Sequence, residues 1–341
     1  MQFAVGYQLA APDEAPFSDL VARYREHLAE VYFPWGDLPS GRAPLTKRRG
    51  YVDWSGQQRL EDDLVTLRAM GLRLDLLFNA NCYGGEAVSQ HLQNQVISIL
   101  DYLGELVGGV ETVTTTSPAI AWVLKREFPQ VEVRASVNMR IGTVRGMEYL
   151  AHLFDGYYVQ RDNQRNLDYV RELKQWADGA GKRLYLLANS GCLAHCSGQT
   201  FHDNLVAHEA QIDESLKMDG FRPHTCWNYL ADPAHWPAVL KSTWIRPEDL
   251  HHYESLFPLV KLATRMHACP DGVLNAYARR QWRGNLLDLF EPGYGPAFAP
   301  NIIDNQTFPE DWFATTSTCD RQCHRCGYCQ RVLGMVLKQG E

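Results

Sequence analysis

Along the first 290 residues, short apolar runs alternate with longer stretches in which apolar positions recur every three or four residues. The runs predict strands at FAVGYQL (3–9), EVYFPW (30–35), LRLDLLFNANC (72–82), ETVTTTSP (111–118), VEVRASVN (131–138), GYYVQRD (156–162), RLYLLANSGCL (183–193) and LVKLATR (259–265). The periodic stretches predict helices over 18–29, 56–70, 88–106, 119–127, 144–153, 166–180 and 271–280. Continuous apolar strands separated by amphipathic helices are the pattern of a parallel sheet covered on its faces. Eight such units predict an α/β fold of the (β/α)8 TIM-barrel-like kind, with a doubly wound open sheet as runner-up. No GxGxxG follows the first strand, so a dinucleotide fold has no support.

Two stretches break the alternation. Residues 194–258, between the seventh and eighth strands, form a cysteine-containing insertion. After Pro292 the chain is rich in Pro, Gly and Phe and then in cysteine. The expected division is a barrel-like catalytic domain over 1–295 and a C-terminal cluster-binding appendix over 296–341.

Composition narrows the class. The 341 residues carry 33 basic and 40 acidic side chains, a net charge of −7, and 45% of them are hydrophobic. That apolar content can bury a core and excludes disorder. No apolar run reaches the roughly 18 residues a membrane span needs. The acidic balance disfavours a nucleic-acid partner without excluding one; Lys47-Arg48-Arg49 reads as a solvated loop. The start, MQFAVGYQLAAPDEAPF, has neither a basic n-region nor a long apolar h-region, so a cytoplasmic chain is expected. Thiols stay reduced there, and the nine cysteines point to metal or redox chemistry instead of a disulfide framework.

Four of them, Cys319, Cys323, Cys326 and Cys329, fall within eleven residues near the C-terminus. Four thiolates on so short a loop can wrap one metal centre. The tight spacing favours a [4Fe–4S] cluster, whereas zinc more often joins two well-separated arms. The first three also match the radical-SAM spacing. They lie at the end of the chain and not after the first strand, and Cys329 supplies a fourth thiolate.

A second group is scattered. Cys192 and Cys196 end the seventh strand, Cys226 lies in the insertion, and Cys269 follows the eighth strand. In a barrel, strand ends form the catalytic face, where these four could hold another cluster. His195, His202, His251 and His267 are alternative ligands. Polar residues that end apolar strands should face a pocket. On that ground Asn189, Arg140 and Arg265 are candidate catalytic residues, with His202 as a general acid or base. Asn81, Asn138 and Arg161 are candidate cofactor-binding residues. Three arginines suit an anionic small molecule, because guanidinium grips carboxylate bidentately. No HExxH or GxSxG supports a hydrolase, and a cysteine nucleophile would need an activating histidine.

The segments LLANSGCLAHCSGQTFHDNLVAHE, IRPEDLHHYESLFPLVKLATR and VYFPWGDLPSGR resemble the peptidase U32 family. The resemblance is loose over most of 1–290 and best over 183–265, and the four-cysteine tail is similar to a divergent branch. It implies a barrel-like domain with a [4Fe–4S] cluster held by four cysteines. It further implies oxygen-independent hydroxylation of quinone precursors or RNA bases, some members taking the oxygen from prephenate. Other members are classed as collagenase-like proteases, and some work in pairs, so a protease or a non-catalytic iron–sulfur subunit with a protein partner are the alternatives. By position, Cys192, Cys196 and Cys226 match the family ligands. The fourth is open between Cys269 and His251, since His251 stands where the family often has cysteine. The family's K-I-E-G-R is here KLATR. Two clusters would make an electron donor a natural partner.

Overall fold

A computed structural model describes residues 1–36, 38–41 and 53–340; Lys47-Arg48-Arg49, and Asp37 and Arg42 of the VYFPWGDLPSGR segment, lie outside them. Eight parallel strands close into a barrel in chain order: β1 (Gln2–Gly6), β2 (Leu28–Phe33), β3 (Arg73–Phe78), β4 (Thr112–Thr115), β5 (Glu132–Ala135), β6 (Gly156–Tyr158), β7 (Arg183–Leu187) and β8 (Leu259–Leu262). β8 pairs with β1 from Gln2↔Leu259 to Val5↔Leu262, which completes the ring. All eight predicted strands exist, and most stop before the polar residues that end the predicted runs. Residues such as Asn79, Asn138 and Asn189 leave the ladder and build loops over the C-terminal mouth. The first helix is shorter than the periodicity predicts. It spans Phe17–Arg23, because Leu28 is drawn into β2, where it is fully buried.

Local chemistry explains the helices. Gln90–Val107 begins where the Ser89 hydroxyl accepts the Leu92 amide and ends at Gly108 in the left-handed region (φ 73°). Its buried Leu92, Val96, Leu100, Leu103 and Val107 recur at helical spacing and face the sheet.

The two faces of the sheet differ. Outside, the strands share one apolar core with the helices. Inside, Glu30, Asp75 and Arg134 are fully buried among Tyr32, Leu77, Tyr158 and Tyr185. Arg134 donates to both Glu30 carboxylate oxygens at 2.6 and 2.9 Å and lies 4.0 Å over the Tyr185 ring. Buried charges persist when paired and hydrogen-bonded in this way.

The insertion forms helices Gln199–Ala207, Glu209–Asp213, Thr225–Leu230 and Pro237–Leu240. Beyond it, β9 (Asn301–Ile303) pairs antiparallel with β10 (Leu337–Gln339), and helices Trp312–Ser317 and Tyr328–Val336 lie between them in the chain. Trp312, Val332, Leu333 and Val336 join the barrel's own core, and Trp312 stacks on Trp244 with ring centroids 5.7 Å apart. The tail is thus packed onto the insertion. Among the described residues, no helix is long and apolar enough to cross a membrane.

Candidate functional site

The site grows from the end of β7. After Leu187 the chain runs through Asn189, Ser190 and Gly191 to Cys192. Gly191 N–H donates to the Glu291 carbonyl (3.0 Å), and Glu291 N–H donates to that of Asn189 (3.1 Å). A side chain at Gly191 would overlap the Pro292 carbonyl oxygen, so only glycine allows this approach. The pairing delivers the loop after Phe290, and with it Tyr294, over the cysteines.

Cys192, Cys196 and Cys226 are half-buried free thiols, and both Cys226 and Cys192 act electrostatically on Cys196. Burial, foremost, and then these neighbours push the Cys196 thiol up. Tyr294 is 1% exposed, and its buried hydroxyl faces the Cys226 sulfur. Burial, and after it the Cys192 and Cys226 sulfurs, raises its pKa far above the tyrosine range, so it stands as a protonated donor facing the thiols. From the loop after β6, buried Arg161 places Nη1 3.4 Å from the Cys192 sulfur, while its Nη2 has no partner.

The other predicted residues divide. Cys269 is exposed, precedes helix Pro270–Arg279 and donates its N–H to His267 Nδ1 (3.0 Å). With His202, His267, Asp288 and Glu291 it lines a cavity of about 720 Å³. His251 is engaged elsewhere: Nδ1 meets the Glu248 carbonyl at 2.8 Å, and its ring lies against His252, which stacks on Phe313. Asn189 is committed to the backbone. Its amide donates to the Ala263 and Leu289 carbonyls (both 2.9 Å) and accepts the Ala263 N–H (2.5 Å), so it stitches β7 to its neighbours. Arg265 is buried and donates to Ser40 Oγ (2.8 Å); Arg140 donates to Thr200 Oγ1 (2.8 Å) on the insertion. Asn81 donates to the Asn138 carbonyl (3.2 Å) and to Asp203 Oδ2 (3.3 Å), which ties the β3 and β5 loops to the same helix.

Three groups escaped the sequence reading. Tyr294 is one. Arg165, buried between Trp244 and Trp312, is the second. The third is Lys261 on β8, whose ammonium lies 3.6 Å over the Tyr32 ring. Burial brings Lys261 down to about 8 despite Asp75 and Glu30. A lone charge within an apolar strand was the available signal for it.

Among the described residues, no three His, Cys, Asp or Glu side chains close on a point as ligands of one metal ion must. A [4Fe–4S] cluster asks for a wider set, because each thiolate binds a different iron. Cys192 and Cys226, each in electrostatic reach of Cys196, with Arg161 and Tyr294 beside them, are three thiols that would serve such a group.

Fold and site define a (β/α)8 barrel with thiols, arginine and tyrosine gathered at its C-terminal mouth. No family model matches the chain. It is 27% identical over 325 residues to a Methanocaldococcus jannaschii protein named an uncharacterized protease, covering 91% of this chain and 89% of that one. The solved U32 peptidase Mk0906 is similar in fold, with a TM-score of 0.52 and 16% identity over 77% of this chain and 92% of its own. The sequence relative spans nearly the whole chain, and the solved U32 peptidase shares its barrel fold.

Proposed function

We propose that the protein is an iron–sulfur oxidoreductase whose barrel centre is held by Cys192, Cys196 and Cys226. When bound, a [4Fe–4S] cluster would supply one-electron chemistry and a Lewis-acidic iron. The chain's own residues do the rest. Arg161 offers a buried, unpaired Nη2 to an anionic co-substrate, which suits prephenate or another carboxylate as oxygen donor. Tyr294 donates toward the thiolates. The reaction class is oxygen-independent hydroxylation, or a related redox modification, of a small molecule, quinone precursor or RNA base. A reducing cytoplasmic setting suits these free thiols.

The observation that carries this reading is the convergence of two buried donors, the unpaired Arg161 Nη2 and the Tyr294 hydroxyl, beside three thiols. The test is iron and sulfide analysis with EPR on protein purified without oxygen, against a Cys192→Ser/Cys226→Ser variant. The variant should lose about four irons per chain. Wild-type protein without iron, or a variant that keeps all of it, would overturn the reading.

A specific observation favours protease chemistry as the second reading. Cys269 stands at a helix N-terminus, in a large cavity that also holds His267 and His202, and the M. jannaschii relative is named a protease. It predicts cleavage of a fluorogenic peptide that survives iron chelation and vanishes in Cys269→Ala.

A further inference from the structure

The barrel reading leaves the tail cysteines unused. We propose that Cys319, Cys323, Cys326 and Cys329 form a second, four-thiolate iron–sulfur site, seated against the barrel thiols so that both groups border one cavity.

The loop brings its cysteines together through tight local turns. Arg321 adopts the left-handed region (φ 61°), and its N–H donates to the Cys319 sulfur at 3.4 Å. Cys323 and Cys326 N–H groups close tight turns onto the Arg321 and Gln322 carbonyls (2.8 and 3.1 Å). Cys329, on the first turn of helix Tyr328–Val336, lies within electrostatic reach of Cys319 and Cys323. Four thiols within eleven residues have the tight spacing of a cluster site, whereas a single zinc ion more often joins two separated arms.

Arg165 supplies the independent observation. Its side chain is buried, 4.0 Å over the Trp244 ring, with Trp312 on the tail 5.4 Å away. Nε and Nη1 donate to the Trp244 and Leu240 carbonyls (2.7 and 2.8 Å), and Nη2 has no partner. Asp249 is the carboxylate in its reach, but it pairs with Arg246 (3.9 Å). A buried cation without an anion is costly. Cys329 is in reach of this guanidinium and of Lys241, so a centre of four thiolates, which is anionic, would supply the missing charge.

The seating is equally direct. One cavity of about 360 Å³ is lined by Cys196 and Cys226 from the insertion side and by Cys323 and Arg321 from the tail, with Lys241 between. The neighbour relation rests on the barrel reading above; the tail site itself does not.

The full chain, purified anaerobically, is compared with Cys323→Ser/Cys326→Ser and Cys192→Ser/Cys226→Ser for iron, zinc, sulfide and dithionite-reduced EPR. Cys323 and Cys326 are exposed, so serine there leaves the packing intact, which circular dichroism checks. Wild type should hold about eight irons and each variant about four. The wild-type EPR spectrum should be broadened by spin coupling relative to the sum of the variants. A tail variant with unchanged iron, or zinc lost in its place, overturns the proposed site. Two iron centres whose spectra simply add overturn the shared cavity. Iron lost only from the tail variant upholds the tail site and sinks the barrel reading. A second probe is Arg165→Met, which should release tail iron to a chelator about tenfold faster, while Arg165→Lys retains it. Equal rates in the two would overturn the role of the guanidinium.

Discussion

The guanidinium of Arg161 lies 3.4 Å from the sulfur of Cys192, its Nη2 buried and unpaired. A charge-assisted bond of this kind is worth about 1.5–3 kcal/mol to the group it serves. Arg161→Gln should therefore release iron to a chelator at least about tenfold faster than wild type. Arg161→Lys should fall between them, because ammonium keeps the charge and loses the second planar donor. Absorbance at the cluster band during chelation checks this, and identical release rates in all three would count against the contact.

Gly191 tests how Tyr294 is delivered. An alanine methyl there would overlap the Pro292 carbonyl oxygen, forcing the paired segments 189–191 and 291–292 apart. Gly191→Ala should cost about 1–3 kcal/mol in urea unfolding and lower iron retention together. Gly179, near the end of a helix and with open space around it, is the control. Gly179→Ala should be neutral or stabilising by up to about 1 kcal/mol. Equal effects at the two positions would remove the steric argument.

The barrel was legible because buried parallel strands are continuous apolar runs, and Leu74, Leu76, Leu77 and Phe78 leave little else to read in β3. Leu28 misled because its spacing also continues a helical stripe. Of the site, Cys192 and Cys196 were legible from their place at a strand end, and Arg161 from the same rule. Asn189 satisfied that rule and is spent on backbone, since strand-end position says nothing of hydrogen-bond demand. Tyr294 and Arg165 were out of reach. Each is a single residue whose meaning depends on groups far away in the chain: Cys192 lies over a hundred residues before Tyr294, and Trp312 far beyond Arg165. The bore pair Glu30 and Arg134 left only the trace of charges within apolar strands, Glu30 alone in β2 and Arg134 beside Glu132 in β5, and their pairing follows only from barrel closure.

That pair gives a stability prediction. Removing one partner of a fully buried ion pair leaves a charge stranded, at roughly 3–5 kcal/mol. Glu30→Gln should sit at the low end, because Arg134 keeps Glu132 at 3.0 Å. Adding Arg134→Met to Glu30→Gln should recover part of the loss, so the double-mutant cycle shows strong coupling. Additive effects in urea denaturation would mean the two side chains do not depend on each other.

Glu132 gives the acid dependence. Burial opposes its ionisation, but Arg134, Tyr185 and Arg183 outweigh that and hold its pKa at about 2, against 4.5 in an unstructured chain. A carboxylate depressed on folding contributes stability that is fully present above pH 4.5 and lost as the pH falls toward 2. The gap corresponds to about 3 kcal/mol. Asp75 works the other way. Burial, then Glu30, lifts it to about 6, so it withdraws stability as the pH rises from 3.8 toward 6. Glu132→Gln separates the two. It should flatten the fall in urea midpoint between pH 4.5 and 2 and leave the slope above pH 4.5 as in wild type. The same acid slope in variant and wild type would show that other carboxylates, not Glu132, set the acid limit of the fold.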